Sequence, residues 1–301
     1  MTHPAFLVFD TLGLWVGKFE TGYDGATTTE TAQVNSVDTS KIIIKPNVYS
    51  WRNITVGNMF KNSYDYQRNL DSHMMKNTEW GSVAYLQHSK YGSMTSVRIN
   101  NNIAYITGYA ATVEPTLGFN GGTSIDGNRI ESTSLSQDGT YTINYLNQKS
   151  IVASTTNNYT GIYDMSGGAW EYVMGYTIGA TTVGGISGIT SLYPNFFNDS
   201  SYSKYWDKYT ATVTTNYDNR ILGDATGEMG PFNYEYDPDP DNTTRYKSSW
   251  YKDLSHFINY SSPWFGRSSH WWDGNETGDF SFDYDVGNMN SSISYRIALA
   301  P

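Results

Sequence analysis

Cysteine is absent from all 301 residues. That removes disulfides, thiolate nucleophiles and cysteine-based metal sites together. It places the chain in no compartment, since surface and cytosolic proteins both do without cysteine. Charge is scarce as well: Asp, Glu, Lys and Arg make up 16%, against roughly 25% in an average globular domain. A chain this polar would suit disorder, but disordered chains are poor in aromatics. Here aromatics reach 16%, with 26 tyrosines and 9 tryptophans. The composition is that of a folded, loop-rich chain built on Asn, Ser, Thr, Tyr and Gly. Basic residues are the scarcer sign, 19 against 29 acidic ones, for a net charge of −10. No basic footprint for nucleic acid exists. No run of about 18 apolar residues is present to span a membrane as a helix. No secretory apolar region follows Met1, and domain-like sequence begins at once. A leader or anchor upstream is therefore expected to be missing from this chain.

The local patterns predict few regular elements. Residues 4–20 read as a strand pair: Ala5 to Phe9 is β-rich, Asp10 to Gly13 turns, and Leu14 to Glu20 alternates. Gly17-Lys18 is no phosphate loop, because Gly13 sits one residue too close and Phe19 replaces the required Ser or Thr. Residues 21–40 read as a Thr/Gly-rich loop, and Ile42 to Ile44 as a short buried segment ending before Pro46. Two helices are expected. One covers about 57–70. The other starts with Asn77 as N-cap and Glu79 in the first turn, carries Trp80, Val83, Ala84 and Gln87 at helical spacing, and stops by Gly92. From Ser96 to Tyr163 short strands alternate with turns such as Gly121-Gly122 and Asp138-Gly139. Residues 177–250 read as a long insertion. Its acidic run from Glu235 to Asp241 lacks the Gly and Glu of an EF-hand loop and reads as solvated. No internal repeat is evident.

Four stretches resemble the formylglycine-generating-enzyme, or sulfatase-modifying-factor, family, in family order. Leu14 to Glu20 is similar to its early strand. Asn77-Thr78-Glu79-Trp80-Gly81-Ser82-Val83-Ala84 looks like its "PTEAEWEYAA" helix. Gly161-Ile162-Tyr163-Asp164-Met165-Ser166-Gly167-Gly168-Ala169-Trp170-Glu171-Tyr172-Val173 resembles "GLYDMSGNVWEWV". Trp264 to Ser269, with the terminal Ser294 to Leu299, looks like "RGGSW" and "GFRLA". The resemblance spans nearly the whole chain. It implies a single α+β domain over 1–301 of the C-type-lectin-like fold, formylglycine-generating-enzyme type. That fold has small twisted antiparallel sheets, two helices, much irregular loop, and paired N- and C-terminal strands. Within the third motif, Tyr163, Met165, Trp170 and Val173 read as core, and Gly167-Gly168 as a turn needing positive φ.

The chemistry of that family needs reactive cysteines near the fourth motif. Serines there have neither the acidity nor the soft-metal affinity of a thiolate, so formylglycine formation is excluded. The five histidines (His3, His73, His88, His256, His270) show no metal-binding spacing, and no G-x-S-x-G elbow exists. No catalytic residue is assigned. Asp283 and Asp285 lie at strand spacing on one face, suited to a solvated face, a calcium contact or glycosidase work. No cofactor is called for, structural calcium aside.

The tail from Asn259 to Asn290 mixes aromatics with Ser, Asp and Asn, as paratopes do. Its candidate ligand-binding residues are Ser262, Trp264, Ser269, His270, Trp272 and Asp273, followed by Asn275, Asp283, Asp285, Asn288 and Asn290. Trp264 and one of Trp271 and Trp272 are also read as core, with Trp272 outside. This placement resembles the variable proteins of diversity-generating retroelements, whose varied positions precede a "GFR" strand. It also resembles pilin-linked surface domains of gut Firmicutes and their phages. The expected function is thus non-enzymatic adhesion or display, binding a protein or carbohydrate on a cell surface, with the chain located extracellularly on a cell, pilus or virion. The alternatives are a structural pilus or virion subunit and, third, a divergent carbohydrate-active enzyme.

Overall fold

The computed structural model describes residues 3–6, 13–94, 97–100, 102–109, 153–179, 184–210, 220–226, 253–271, 273 and 277–300. The turns expected within 110–152, the acidic run 235–241, and the candidates Trp272 and Asn275 lie outside these residues.

The architecture is α+β with small, mostly antiparallel sheets. The two ends of the chain meet in the first sheet. Strand β1 (Trp15–Val16) pairs antiparallel with β10 (Ile297–Leu299), which pairs in turn with β4 (His73–Met74). A second ribbon joins β2 (Gly22–Tyr23) to β3 (Ile42–Ile43). The main sheet is built round β5 (Trp170–Thr177). One edge of β5 carries β7 (Trp264–Arg267), which carries β8 (Phe282–Asp285). Its other edge is shared by β9 (Ile293–Tyr295) and β6 (Asp207–Tyr209), both parallel to it. Residue 75 ties the two larger sheets together: Met75 N–H donates to Arg296 O, and Met174 N–H to Met75 O, each at 2.9 Å.

Both expected helices form. Helix α1 (Val56–Tyr66) is capped by the Thr55 hydroxyl, which accepts from Asn58 N–H at 3.3 Å. Helix α2 (Asn77–Gln87) starts one residue earlier than predicted. Lys76 is the N-cap, and the Glu79 carboxylate accepts from its backbone N–H at 2.8 Å. Asn77 is therefore no cap; it is buried and donates to the Tyr209 hydroxyl at 2.7 Å. The helix ends at Gln87, before Gly92.

One expectation is corrected: Pro4–Phe6 is a 3-10 turn where a strand was expected, while 7–12, the rest of that run and its turn, lie outside the described residues. Strand β1 pairs with the C-terminal strand β10, the terminal pairing expected from the resemblance. The described parts of 177–250 carry helix α3 (Gly184–Leu192), β6, and the buried Ile189, Phe196, Trp206 and Tyr209. Helix α3 packs on α1 through glycines. A Cβ on Gly57 would come within 2.4 Å of Gly188 carbonyl carbon, so no larger residue allows that crossing.

The motif helix and the motif strand meet in the core. Trp80, Val83, Met165, Val173, Phe265 and Phe282 form one buried cluster. A larger one joins Trp51, Phe60, Tyr172, Tyr176, Trp264 and Tyr295.

Candidate functional site

Strand β8 runs along the open side of β7, and its exposure rises after Phe282. Phe282 is buried, Tyr284 is exposed, and Asp283 and Asp285 are half-buried. With Trp170, Gly266, Asn290 and Ile293, these last three line a depression of about 140 Å³. Trp170 forms one wall because Gly266 lets the indole lie close: a Cβ there would stand 3.3 Å from the ring.

Both carboxylates are held from behind. Asp283 Oδ1 contacts His256 Nδ1 at 2.9 Å and accepts from Tyr284 N–H at 2.8 Å. Asp285 Oδ1 accepts from the Tyr172 hydroxyl and from Gly287 N–H, the latter at 3.0 Å. Burial, then the Asp285 charge, holds the Tyr172 phenol far above its usual pKa, so it stays a donor. Among the described residues no donor reaches Oδ2 of either aspartate. Asn290 shapes the rim: its side-chain oxygen accepts from Ser292 N–H at 2.9 Å, and its carbonyl from Asn53 N–H at 2.9 Å.

A second polar group adjoins this one through the backbone. Trp170 N–H donates to Ser292 O, and Trp271 N–H to Gly168 O. There the Tyr105 hydroxyl contacts His270 Nε2 and donates to Ser292 Oγ at 3.2 Å, while the Arg52 guanidinium lies 3.7 Å over the Tyr105 ring. Asp273 accepts from His270 N–H at 2.8 Å.

The candidates thus divide. Asp283, Asp285 and Asn290 come together in the depression. His270 and Asp273 form the adjoining group. Asn288 is exposed, and its carbonyl accepts from the Tyr172 hydroxyl at 3.4 Å. Ser262 stands apart in the turn before β7, where its N–H donates to the Asn259 side chain at 3.0 Å.

Two candidates are overturned. Trp264 is fully buried against Tyr176 and Phe197, wedged where a Cβ on Gly185 or Gly287 would come within 2.5 Å of its indole. Ser269 is also fully buried and has a left-handed backbone, φ 61°. Neither can touch a ligand. The reverse holds for Trp170, read as core but half-buried at the depression. Its signal was available: Trp170 opens β5, and strand ends cover less of a sheet face than strand centres. Trp271 is half-buried, with His270 at 5.1 Å between ring centroids.

Among the described residues no group of three or more His, Asp or Glu side chains is placed to hold a metal ion. Three histidines each face one carboxylate instead: His73 with Glu79 at 3.0 Å, His88 with Asp279 at 2.8 Å, and His256 with Asp283. No helix among the described residues is long and apolar enough to cross a membrane. No protein-family model and no curated protein matches the chain.

Proposed function

We propose that the chain is a non-enzymatic binding protein of the formylglycine-generating-enzyme type of C-type-lectin-like fold. Sited on a cell surface, pilus or virion, it presents the β8 depression to a protein or carbohydrate ligand on a cell surface. The observation that carries the binding reading is the pair of aspartates, each fixed through one oxygen and open at the other, beside Trp170 and Tyr284. Acceptors held in place before a ligand arrives lose little entropy when it binds.

Backbone conformation supports the family reading. The "RGGSW" pattern falls on Arg267-Ser268-Ser269-His270-Trp271, and its two glycines on serines with φ of 79° and 61°. Two successive non-glycine residues in that region are costly; a backbone shaped for glycines accounts for them. Gly167 and Gly168 likewise have φ of 76° and 78°. Glu171 of the third motif grips Arg296 of the terminal one, with Arg296 Nε donating to Glu171 Oε2 at 2.9 Å.

The test is an array of glycans and surface proteins probed with wild-type chain and Tyr284→Ala. A ligand bound by the wild type and lost by the variant supports the reading. A ligand whose binding ignores Tyr284→Ala would move the site elsewhere. One observation favours the structural-subunit alternative: Trp15 is 69% exposed on edge strand β1. Light scattering tests it, since a persistent monomer over a wide concentration range argues against it.

A further inference from the structure

We infer that the β8 depression seats one cationic side chain, the guanidinium of an arginine presented by a protein partner. This rests on reading the depression as the binding site. Size is the first argument. About 140 Å³ falls below the roughly 300–1,000 Å³ of pockets that take whole small molecules. The depression has room for one protruding group of a larger ligand, which is how a protein partner engages a pocket.

Charge is the second argument. Asp283 and Asp285 line the depression, and among the described residues that line it there is no Lys or Arg. The nearby base, His256, contacts Asp283 through Oδ1, and no donor among the described residues reaches Oδ2. Two residues apart on one strand, the aspartates stand about 7 Å from each other along it. A guanidinium carries five donors in a rigid planar fork and can reach both. A neutral sugar ring would need donors as well as acceptors from the wall, and the side chains here are chiefly acceptors. The net charge of −10 adds attraction for a cationic partner at long range.

Shape is the third. Trp170 lies over Gly266 on one side, and Tyr284, 40% exposed, stands on β8. A planar guanidinium stacks on aromatic faces as an ammonium does not, while its edge meets carboxylates.

The test titrates N-acetyl-arginine methylamide, to 100 mM, into the full chain, following the Trp170 indole and the Tyr284 and Asp285 amides by NMR. N-acetyl-citrulline methylamide, nearly the same shape but neutral, and methyl glucoside serve as comparison probes. Expected are saturable shifts at these residues with the arginine probe. They should weaken several-fold between about 100 and 500 mM total ionic strength, the probe and its counter-ion included, as screening shortens the reach of charge. The Asp283→Asn/Asp285→Asn variant, which keeps both Oδ1 acceptors, should bind at least tenfold more weakly. Equal shifts from citrulline, no loss in the variant, shifts from methyl glucoside alone, or no shifts from any probe would each overturn the inference. Should Tyr284→Ala abolish an array ligand that the double Asn variant still binds, the site stands and its cationic ligand falls. Should Tyr284→Ala leave that ligand bound, the site itself falls.

Discussion

Two sets of carboxylates in this protein show how the same group serves opposite ends. Glu20, Asp164 and Glu171 are buried round Arg296, and every one of their oxygens is engaged. Glu20 accepts from Ala169 N–H and shares a hydrogen bond with the Ser50 hydroxyl, Asp164 accepts from Asn100 and Gly108, and Glu171 from Arg296 through both oxygens. Asp283 and Asp285 have one engaged oxygen each. A buried acceptor without a partner costs stability, so the first set is closed by necessity. A half-exposed acceptor can leave its second partner to water or to a ligand. On the proposed reading, the unfinished oxygens of Asp283 and Asp285 are left for a ligand.

The largest effect comes from opening the closed set. Arg296→Met leaves Glu171 without a cation in the core and removes the donor to Gly17 O at 2.8 Å. Breaking a buried pair from one side costs about 3–5 kcal/mol, read as a fall in unfolding free energy in urea. Asp285→Asn keeps its Oδ1 acceptor, so its loss should stay under about 1 kcal/mol. Similar losses at the two positions would erase the distinction between the sets.

Next in size is Gly168→Ala. The new Cβ would stand 2.2 Å from Glu20 Oε1, on a backbone with φ of 78°. Overpacking and left-handed strain together predict a loss of about 2–4 kcal/mol, by the same urea measurement.

A third effect is in pH. Burial first, then the negative charges of Asp164 and Glu171, pushes Glu20 well above the usual carboxylate range. The fold therefore keeps a proton that the unfolded chain releases near pH 4.5. A group with a raised folded pKa gives stability that is full below its unfolded value and lost as pH rises through the folded one. Glu171, raised by burial to about 7 even with Arg296 beside it, acts in the same direction. Glu79 acts oppositely. Burial raises it, but the His73 charge and hydrogen bond bring it down to about 2, so its contribution fades only as pH falls from about 4.5 toward 2. Stability should therefore peak on the acid side of neutrality and decline toward pH 8. Glu20→Gln, which keeps the shape and needs no proton, should flatten that decline in thermal melts across pH 5 to 8. An unchanged slope would mean Glu20 is ionised in the fold.

The fold motifs were far more legible in the sequence than either set of carboxylates. Residues 77–84 and 161–173 carry their burial in local pattern, with apolar residues at helix or strand spacing and glycines where φ turns positive. Helix α3 was not legible, because three glycines in nine residues oppose helix, and its stability comes from contacts with Gly57 and Trp264 far along the chain. For Trp264, read both as core and as a ligand contact, only the structure decided: nothing near it in sequence shows Gly185 and Gly287 closing over its ring. Trp170 was misjudged, since a motif that fills the core along most of its length gives no hint that one member looks outward. Asp283 and Asp285 were placed on one face by strand spacing alone, but which oxygens stay open depends on Tyr172, His256 and Gly287, a matter of three dimensions.

A small expected change in stability is therefore the sharpest test of the open set. Tyr284 stands 40% exposed on β8, so Tyr284→Ala gives up its tilted contact with the His256 ring at 5.5 Å and the covered part of its ring. The loss should be about 1 kcal/mol, well short of that for Gly168→Ala. Ligand affinity should drop at least tenfold, because the aromatic contact is made only when the depression is filled. A residue with little weight in folding and a large weight in binding is what an unfinished surface predicts. If Tyr284→Ala instead unfolds the chain as Gly168→Ala does, β8 belongs to the core, and the two sets of carboxylates differ only in how deeply they lie.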